Sequence, residues 1–266
     1  MARSLGWPRL STRGRAAVTH ILIPPPIVHV AADMAIPVAR AELTPDERSV
    51  MFALIDSHFE GVRRDVFDRD LDEKDWVLRI VRNGVLVGFS TLQVYPTTFA
   101  GHRINVIYSG DTVVAPEAWG TPVLARGWIA LVRAIQTTRL DEPWYWLLLS
   151  SGFRTYRFLP VFWREFWPRH DATPDPRTQE MISTLARERF NGCYDERAGV
   201  VRFPRPQRLR AHLAGIPEGK ENDPHVRFFL ERNPGHSAGD ELVCLTALSD
   251  DNLTAAGLRM VRGTAR

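Results

Sequence analysis

The clearest alternation of apolar and polar residues lies in the segment 76–95. Two runs rich in β-branched and aromatic residues flank the pair Asn83-Gly84, which is favoured in type I′ hairpin turns because both central residues need a positive φ angle. A third run of this kind, 104–114, follows a loop predicted over 96–103. These patterns predict an antiparallel meander of three strands.

Helical spacing appears on both sides of this meander. Residues 44–59 begin with Thr44 at an N-cap, Pro45 in the first helical position and Glu47 at the capping-box position. Downstream of Gly120 the spacing i, i+4, i+7 and i+11 forms one apolar stripe, which consists of Leu124, Trp128, Leu131 and Ile135. Both segments are predicted to be helices that pack on the sheet.

The segment 143–151 is short, aromatic and nearly uncharged, which is typical of a buried strand. Helical spacing returns after it, and we expect that helix to begin near Phe158 because Pro160 is tolerated only in a first turn. The order from 36 to 167 is strand, helix, hairpin, third strand, turn, helix, strand, helix. This order predicts an α/β (α+β) fold, with a mixed, mainly antiparallel sheet flanked by helices and an additional C-terminal α/β segment.

Composition divides the chain into three parts. Residues 1–33 mix Arg, Gly and Pro, and we expect a disordered basic extension, or a segment upstream of a true start at Met34. Residues 34–170 hold the predicted core elements. A proline-rich stretch then leads into 171–266, which is predicted to be an extension packed on that core.

The net charge of +3 resides in the N-terminal extension. Residues 1–33 hold four arginines against Asp33 alone, and the basic and acidic residues of the remaining chain are equal in number. A neutral body gives no reason to expect a nucleic-acid-binding face. No apolar run approaches the roughly 20 residues of a membrane-spanning helix. Cys193 and Cys244 lie far apart, and we expect reduced thiols in a cytoplasmic protein.

The turn before the second helix has a more specific pattern. Val114-Ala115-Pro116 ends the third strand, and Gly120 lies in the turn that follows. Together with the element order over 36–167, this stretch resembles the GNAT acyltransferase superfamily, and residues 152–166 resemble that family's next helix. In that family the turn opens a helix whose N-terminus holds the pyrophosphate of an acyl-CoA, because free backbone N–H groups and the helix dipole favour an anion.

The resemblance implies transfer of an acyl group from a thioester to a small amine acceptor. It implies that the donor contacts four residues of the strand end and turn: Val114, Trp119, Gly120 and Thr121. Glu117 stands where the family has Gln or Arg, and Pro122 replaces a small residue and offers no N–H group. The expected donor is therefore either acyl-CoA or the phosphopantetheine of an acyl carrier protein, which lacks the adenine-side phosphates.

Asp111 breaks a local preference, since Asp is depleted from strand interiors and such exceptions often mark functional positions. In the GNAT family a carboxylate on this strand acts as base for the amine, and the resemblance implies a catalytic role for Asp111 and for Tyr108 on the same strand. The alternative is a bulge at Gly110 with Asp111 bonded to a neighbouring loop. Tyr156 follows the buried strand at the place of the family's general acid. Its alternative role is to cap the core with its hydroxyl in water.

Hydroxyl and guanidinium groups near the two turns are further candidates for binding phosphate or carboxylate. They belong to Ser150, Arg154 and Arg126. Alternatively, the arginines are surface charges that pair with an acidic neighbour. Among the tryptophans, Trp128 follows a helical stripe and is predicted to be core, whereas Trp119 lies inside the turn and fits the wall of an acyl or aromatic site.

Near the C-terminus, His236 and Asp240 follow a turn at Asn233-Pro234-Gly235. They fit an acid–base couple or a structural loop, but two candidate ligands do not make a metal site, and we expect no metal. The sequence thus favours an N-acyltransferase. Two alternatives stay open: a GNAT-like binding or regulatory protein that has lost acyl transfer, and a different chemistry in the same cleft, such as hydrolysis.

Overall fold

The structure is a computed structural model that describes residues 21, 23–216 and 218–262. The strands are β1 (Val28–Val30), β2 (Asp33–Ala39), β3 (Phe59–Glu60), β4 (Trp76–Arg82), β5 (Val85–Phe99), β6 (His102–Val114), β7 (Trp144–Ser150), β8 (Phe166–Trp167), β9 (Tyr194–Asp195), β10 (Val200–Val201), β11 (Arg208–Leu209) and β12 (Glu241–Ala247). The α-helices are α1 (Pro45–His58), α2 (Arg64–Asp72), α3 (Val123–Gln136), α4 (Phe153–Tyr156), α5 (Phe158–Phe162), α6 (Pro176–Arg189), α7 (Ala211–Ala214), α8 (Pro224–Arg232) and α9 (Ala255–Arg262).

One large sheet organises these elements in the order β1-β2-β4-β5-β6-β7-β12-β10-β9, with β8 paired to β12. Its neighbours are antiparallel except for β6 and β7, which run parallel. A small second sheet joins β3 to β11. The predicted mixed, mainly antiparallel sheet flanked by helices is therefore confirmed.

Two tight turns connect the strands of the meander. Asn83 and Gly84 have φ angles of 50° and 80°, as a type I′ turn requires. The predicted loop over 96–103 is wrong, because β5 runs on to Phe99 and β6 starts at His102. Long strands on both sides leave only a two-residue connection.

The helices cover both faces of the sheet. Alternate residues of β7 separate the two sides: Trp146 and Leu148 belong to the core that contains α3, whereas Leu147 and Leu149 belong to the core that contains α6. A third core joins α1 and α2 to the α6 side of the sheet through Val113 of β6. The cores on opposite faces hold β6 and β7 between them.

The predicted boundary at residue 34 is wrong for residues 28–33. Val28 to Val30 pair with β2, and Asp33 belongs to β2 itself, so these residues are part of the sheet. Residues 1–20 and 22 of the predicted extension lie outside the described residues.

At the other end of the chain, β12 pairs with β7 from Leu242↔Ser150 to Ala247↔Tyr145. The C-terminal segment therefore supplies a strand next to the centre of the sheet. No helix in the described part of the chain has the length and apolarity needed to span a membrane.

Candidate functional site

The parallel pair β6 and β7 separates partway along its length. The register runs from Asn105↔Trp144 to Ser109↔Leu148 and stops there. Beyond this point β6 continues on β5, and β7 continues on β12. The edge of β6 over 110–114 that faces β7 is therefore not covered by that strand, and an opening forms in the middle of the sheet.

A β-bulge coincides with the separation. Ser90 pairs with Thr112 and Leu92 with Ser109, so β6 uses one more residue than β5 across this interval. Gly110 lies at the bulge because Lys74 crosses it closely: a Cβ atom at this position would lie 2.6 Å from Lys74 Cε. The predicted bulge at Gly110 is thus present.

A cavity of about 880 Å³ fills the opening. Its walls are the parted ends of β6 and β7, the turn over 118–121, the first turns of α3, the start of α4 and the segment 208–216. Most of the lining is apolar. The cavity brings together five of the residues predicted to contact a donor: Val114, Trp119, Gly120, Thr121 and Arg154.

The turn is held against the edge of the cavity by an aromatic side chain. Trp119 Nε1 donates a hydrogen bond to the Val114 carbonyl at 2.7 Å. The Arg154 guanidinium lies 4.3 Å from the centre of the Trp119 ring, which is cation–π geometry. Arg154 also donates to the carbonyls of Leu213 and Gly215, at 2.8 and 3.1 Å. It therefore ties the turn to the segment that covers the cavity.

An ion pair between buried Asp33 and half-buried Arg82 supports the other side of the turn. Arg82 bonds both carboxylate oxygens of Asp33, at 2.6 and 2.9 Å, and this contact lowers the pKa of Asp33. The same guanidinium donates to the Glu117 carbonyl at 2.7 Å. Glu117 itself is exposed and does not line the cavity. In this geometry the Glu117 carboxylate is therefore not placed to repel a pyrophosphate bound in the cavity.

The start of α3 faces the same cavity. Pro122 occupies the N-cap position, and the first helical N–H groups, at Val123 to Ala125, have no intrahelical acceptor by the geometry of a helix N-terminus. Gly120 has a φ angle of 86°, and a Cβ atom there would meet nothing within 4 Å. The turn and the start of α3 thus offer hydrogen-bond donors next to open space.

A second, smaller cavity of about 80 Å³ adjoins the first. Asp111, Tyr108, Asp70 and Glu241 are among its lining residues. The two cavities share five lining residues, namely Phe59, Thr112, Val113, Ser151 and Thr155. Asp111 is therefore partly buried beside the opening and is not sealed in the core.

The small cavity concentrates buried charge. The Lys74 side chain is 0% exposed, and its Nζ atom lies 2.6 Å from Asp70 Oδ1. Burial raises the pKa of Asp111 to about 7; Asp70 adds to this rise and Lys74 opposes it. Burial also raises the pKa of Glu241 to about 8, with Asp111 and Asp70 contributing. Both carboxyl groups are thus placed to exchange protons near neutral pH.

Tyr108 lies between two cations of this cluster. Its ring centre is 5.3 Å from Lys74 Nζ and 4.8 Å from the Arg189 guanidinium. Burial raises the pKa of Tyr108 well above its ordinary value, so the phenol stays neutral. The geometry gives Tyr108 a packing contact with the charged groups beside Asp111.

Tyr156 does not reach either cavity. The side chain is 0% exposed, and its hydroxyl donates to the Pro168 carbonyl at 2.8 Å. Phe166 and Phe229 pack against its ring. The predicted role as general acid is therefore wrong in position, because α4 directs this tyrosine into the core.

Ser150 and Arg126 also lie outside the cavity lining. Ser150 is fully buried, 3.8 Å from Cys244 Sγ, because β12 covers this end of β7. Arg126 is two residues from both Leu124 and Trp128, which line the cavity, so it projects from a different side of α3. Ser150 and Arg126, both predicted to contact the donor, are therefore not among the residues that line either cavity.

Sequence reasoning missed Glu241 and Lys74. Glu241 opens an apolar strand, and its approach to Asp111 depends on pairing between distant segments. Lys74 is one of two lysines in the chain, the other being Lys220. The rarity of lysine is a usable signal, since the chain has 34 basic residues and all except these two are arginines.

His236 and Asp240 do not pair with each other. His236 Nδ1 lies 3.0 Å from the Asn233 carbonyl, and Asp240 accepts from Arg202 at 2.9 Å. These contacts match the structural-loop alternative. Over the residues that the structure describes, no group of three or more His, Cys, Asp or Glu side chains has metal-binding geometry.

No protein-family model and no curated protein matches the chain. Solved structures are similar to part of it, and the three that follow are named as N-acyltransferases or N-acetyltransferases. A probable N-acyltransferase from Enterococcus faecalis has 15% identity and a TM-score of 0.37, covering 59% of this chain and 43% of that chain. A GCN5-related N-acetyltransferase from Kribbella flavida has 20% identity and a TM-score of 0.37, with coverages of 51% and 34%. An acyl-CoA N-acyltransferase from Pseudomonas aeruginosa has 21% identity and a TM-score of 0.34, with coverages of 43% and 78%.

Replacing Glu241 by glutamine tests the buried cluster. The raised pKa of about 8 means that the folded state binds more protons than the unfolded state, so the free energy of unfolding falls as the pH rises towards 8. In the Glu241→Gln variant this fall in the free energy of unfolding is absent. We expect its gain in stability over the wild type to be small at about pH 5, to grow with pH, and to level off above about pH 8.

Urea unfolding across this pH range measures the effect. Glu221→Gln changes an exposed carboxylate and is the matched control, for which we expect a nearly constant difference from the wild type. If the gain in stability of Glu241→Gln does not change with pH, the Glu241 carboxyl does not hold a proton in the folded state as assigned.

Proposed function

We propose that this protein transfers an acyl group from a thioester to an amine. The main support is the continuous space at the separation of β6 and β7. At this place an apolar cavity beside the turn adjoins a small acidic pocket. The two have lining residues in common, which include Ser151 and Thr155. A reaction between an extended thioester and a cationic amine needs two such compartments that meet at one point.

The donor would lie in the larger cavity. Its phosphopantetheine arm is a chain of amides, and the uncovered edge of β6 over 110–114 offers backbone groups to an extended partner. If the donor is a CoA thioester, its pyrophosphate would lie at the turn and the first turn of α3. The N–H groups and the positive end of the helix dipole favour an anion there.

Asp111 would act as the base. Its carboxylate takes a proton from the ammonium form of the acceptor, and the neutral amine then attacks the carbonyl carbon of the thioester. The new C–N bond forms and the C–S bond breaks, and the leaving thiolate takes the second proton that the nitrogen loses as it becomes an amide. Ser151 and Thr155 line both cavities, and their hydroxyls would donate hydrogen bonds to that sulfur, near the place where a general acid was predicted at Tyr156.

The acceptor would enter the acidic pocket as a cation. Asp70, Asp111 and Glu241 surround that space, and Lys74 already pairs with Asp70. A small amine that carries a positive charge would be attracted by the ionised form of Asp111 until its proton is removed. This arrangement favours an amine over a neutral alcohol.

A GNAT-like binding or regulatory protein without turnover is the second candidate. The observation in its favour is the position of Tyr156, which leaves the cavities without the phenol that the family resemblance implied. The two candidates differ in one result. Both require donor binding, but only the enzyme releases free thiol when donor and amine are present together.

Asp111→Asn should lower kcat by about 10²–10⁴-fold, since the amide cannot accept the proton. In the wild type we expect activity to rise with pH through about 7, as the Asp111 carboxyl ionises. The variant should lose this limb of the pH profile and keep its affinity for the donor. Asp141→Asn changes an exposed loop carboxylate and should leave the profile intact. An Asp111→Asn enzyme with the wild-type profile would remove Asp111 as the base.

Gly120→Trp should abolish donor binding, because the indole would occupy the space in front of the turn. Gly120→Ala is the control for backbone strain, since both variants place a side chain at a positive φ angle but alanine meets no neighbouring atom. Calorimetric titration with acetyl-CoA should show at least about a tenfold larger loss for tryptophan than for alanine. Equal affinities for the two variants and the wild type would place the donor elsewhere.

A further inference from the structure

We infer that the donor carries a medium or long acyl chain, of about eight carbons or more, and that the chain lies in the apolar part of the large cavity. This inference rests on the proposed acyl transfer. It specifies the donor of that reaction by the size and chemistry of the cavity walls.

Size is the first argument. At about 880 Å³, the cavity lies near the upper end of the roughly 300–1,000 Å³ that small-molecule sites occupy. A donor with a two-carbon acyl group would place its phosphopantetheine arm in this space, but its acyl group is comparable in volume to only a pair of water molecules of about 30 Å³ each and would leave the apolar end unfilled. Because protein interiors are close-packed, an apolar space of this size indicates a ligand that fills it.

The distribution of polar groups is the second argument. Hydroxyls of Ser109, Thr112 and Ser151 lie where the strands separate, which suits the thioester and the amides of the arm. Away from this point much of the wall is hydrocarbon and aromatic carbon, from Leu124, Phe153, Phe158 and Leu230, while the polar and charged lining residues His58, Glu60, Arg154, Arg208, His236 and Ser237 also contribute. A phosphopantetheine arm alone would leave its amides unpaired against these walls, whereas an alkyl chain requires no partner.

The floor of the cavity consists of packed indole rings, and its buried polar group is Trp128 Nε1, which has no hydrogen-bond partner among the described residues. The rings of Trp128 and Trp146 are 4.2 Å apart, and Trp163 packs behind them, 5.0 Å from Trp146. The indole N–H of Trp146 is already paired with Ser109 Oγ at 2.9 Å. The Trp146 ring therefore presents carbon to the cavity, and the packed tryptophans set a fixed limit to chain length.

The cover of the cavity is also tied down. Arg154 bonds two carbonyls of the segment 208–216 while stacking on Trp119 of the turn. An alkyl chain below this contact would be removed from water. Each additional methylene that is buried there should strengthen binding by about fourfold, until the floor is reached.

Calorimetric titration with a series of donors tests the inference. Acetyl-, octanoyl- and dodecanoyl-CoA are compared below their micelle concentrations, in parallel with the same acyl groups on an acyl carrier protein. We expect dodecanoyl to bind at least about 100-fold more tightly than acetyl on one or both carriers. The carrier that shows the rise identifies the source of the donor.

Equal affinity for acetyl and dodecanoyl donors would overturn the inference and leave acyl transfer from a short donor standing. No binding of any thioester on either carrier would overturn both the inference and the proposed function. These outcomes separate the two claims.

The variant Leu230→Trp tests where in the cavity the acyl chain lies. The indole would fill space beside α8, so affinity for dodecanoyl should fall at least about tenfold while affinity for acetyl is unchanged. Leu140→Trp adds the same ring at a residue that is 75% exposed, and should change neither. Ile216→Phe repeats the test from the cover, should Leu230→Trp fail to fold. Equal losses for both chain lengths, or none in either cavity variant, would show that the chain lies elsewhere.

Discussion

Ser109 and Leu148 form the last pair between two parallel strands, and the candidate site depends on the fact that this pairing stops there. Two interactions pull the strands apart. The extra residue of the bulge opposite Ser90 and Leu92 keeps β6 on β5, while the continuous antiparallel pairing with β12 keeps β7 on its other neighbour. Packed cores on both faces support each strand separately, so the opening does not collapse.

The bulge is coupled to buried charge. Lys74 crosses Gly110 and pairs with Asp70, at a place where any other residue in position 110 would collide with it. A fully buried lysine is stable only with such a partner, and its positive charge also limits the rise in the pKa of Asp111. The same contact that shapes the strand therefore sets the electrostatics of the candidate base.

Local features of the fold were predictable from the sequence because their causes are local. The turn at Asn83-Gly84 and the helix cap at Thr44 depend on residues a few positions apart. The entry of β12 into the sheet was not predictable, since a short apolar strand does not specify its partner. The site shows the same division. The sequence pointed to the strand and turn around Asp111 and Gly120, but Tyr156 was misplaced because its distance along the chain from β7 does not reveal which way its side chain points.

The central claim is that a thioester donor lies along the uncovered edge of β6 and ends at the start of α3. Amide hydrogen exchange with and without saturating dodecanoyl-CoA measures this directly. We expect slower exchange over 110–114 and 120–125 when the donor is bound, with the outer strands β1 and β9 unchanged. Slower exchange confined to other parts of the chain would contradict it.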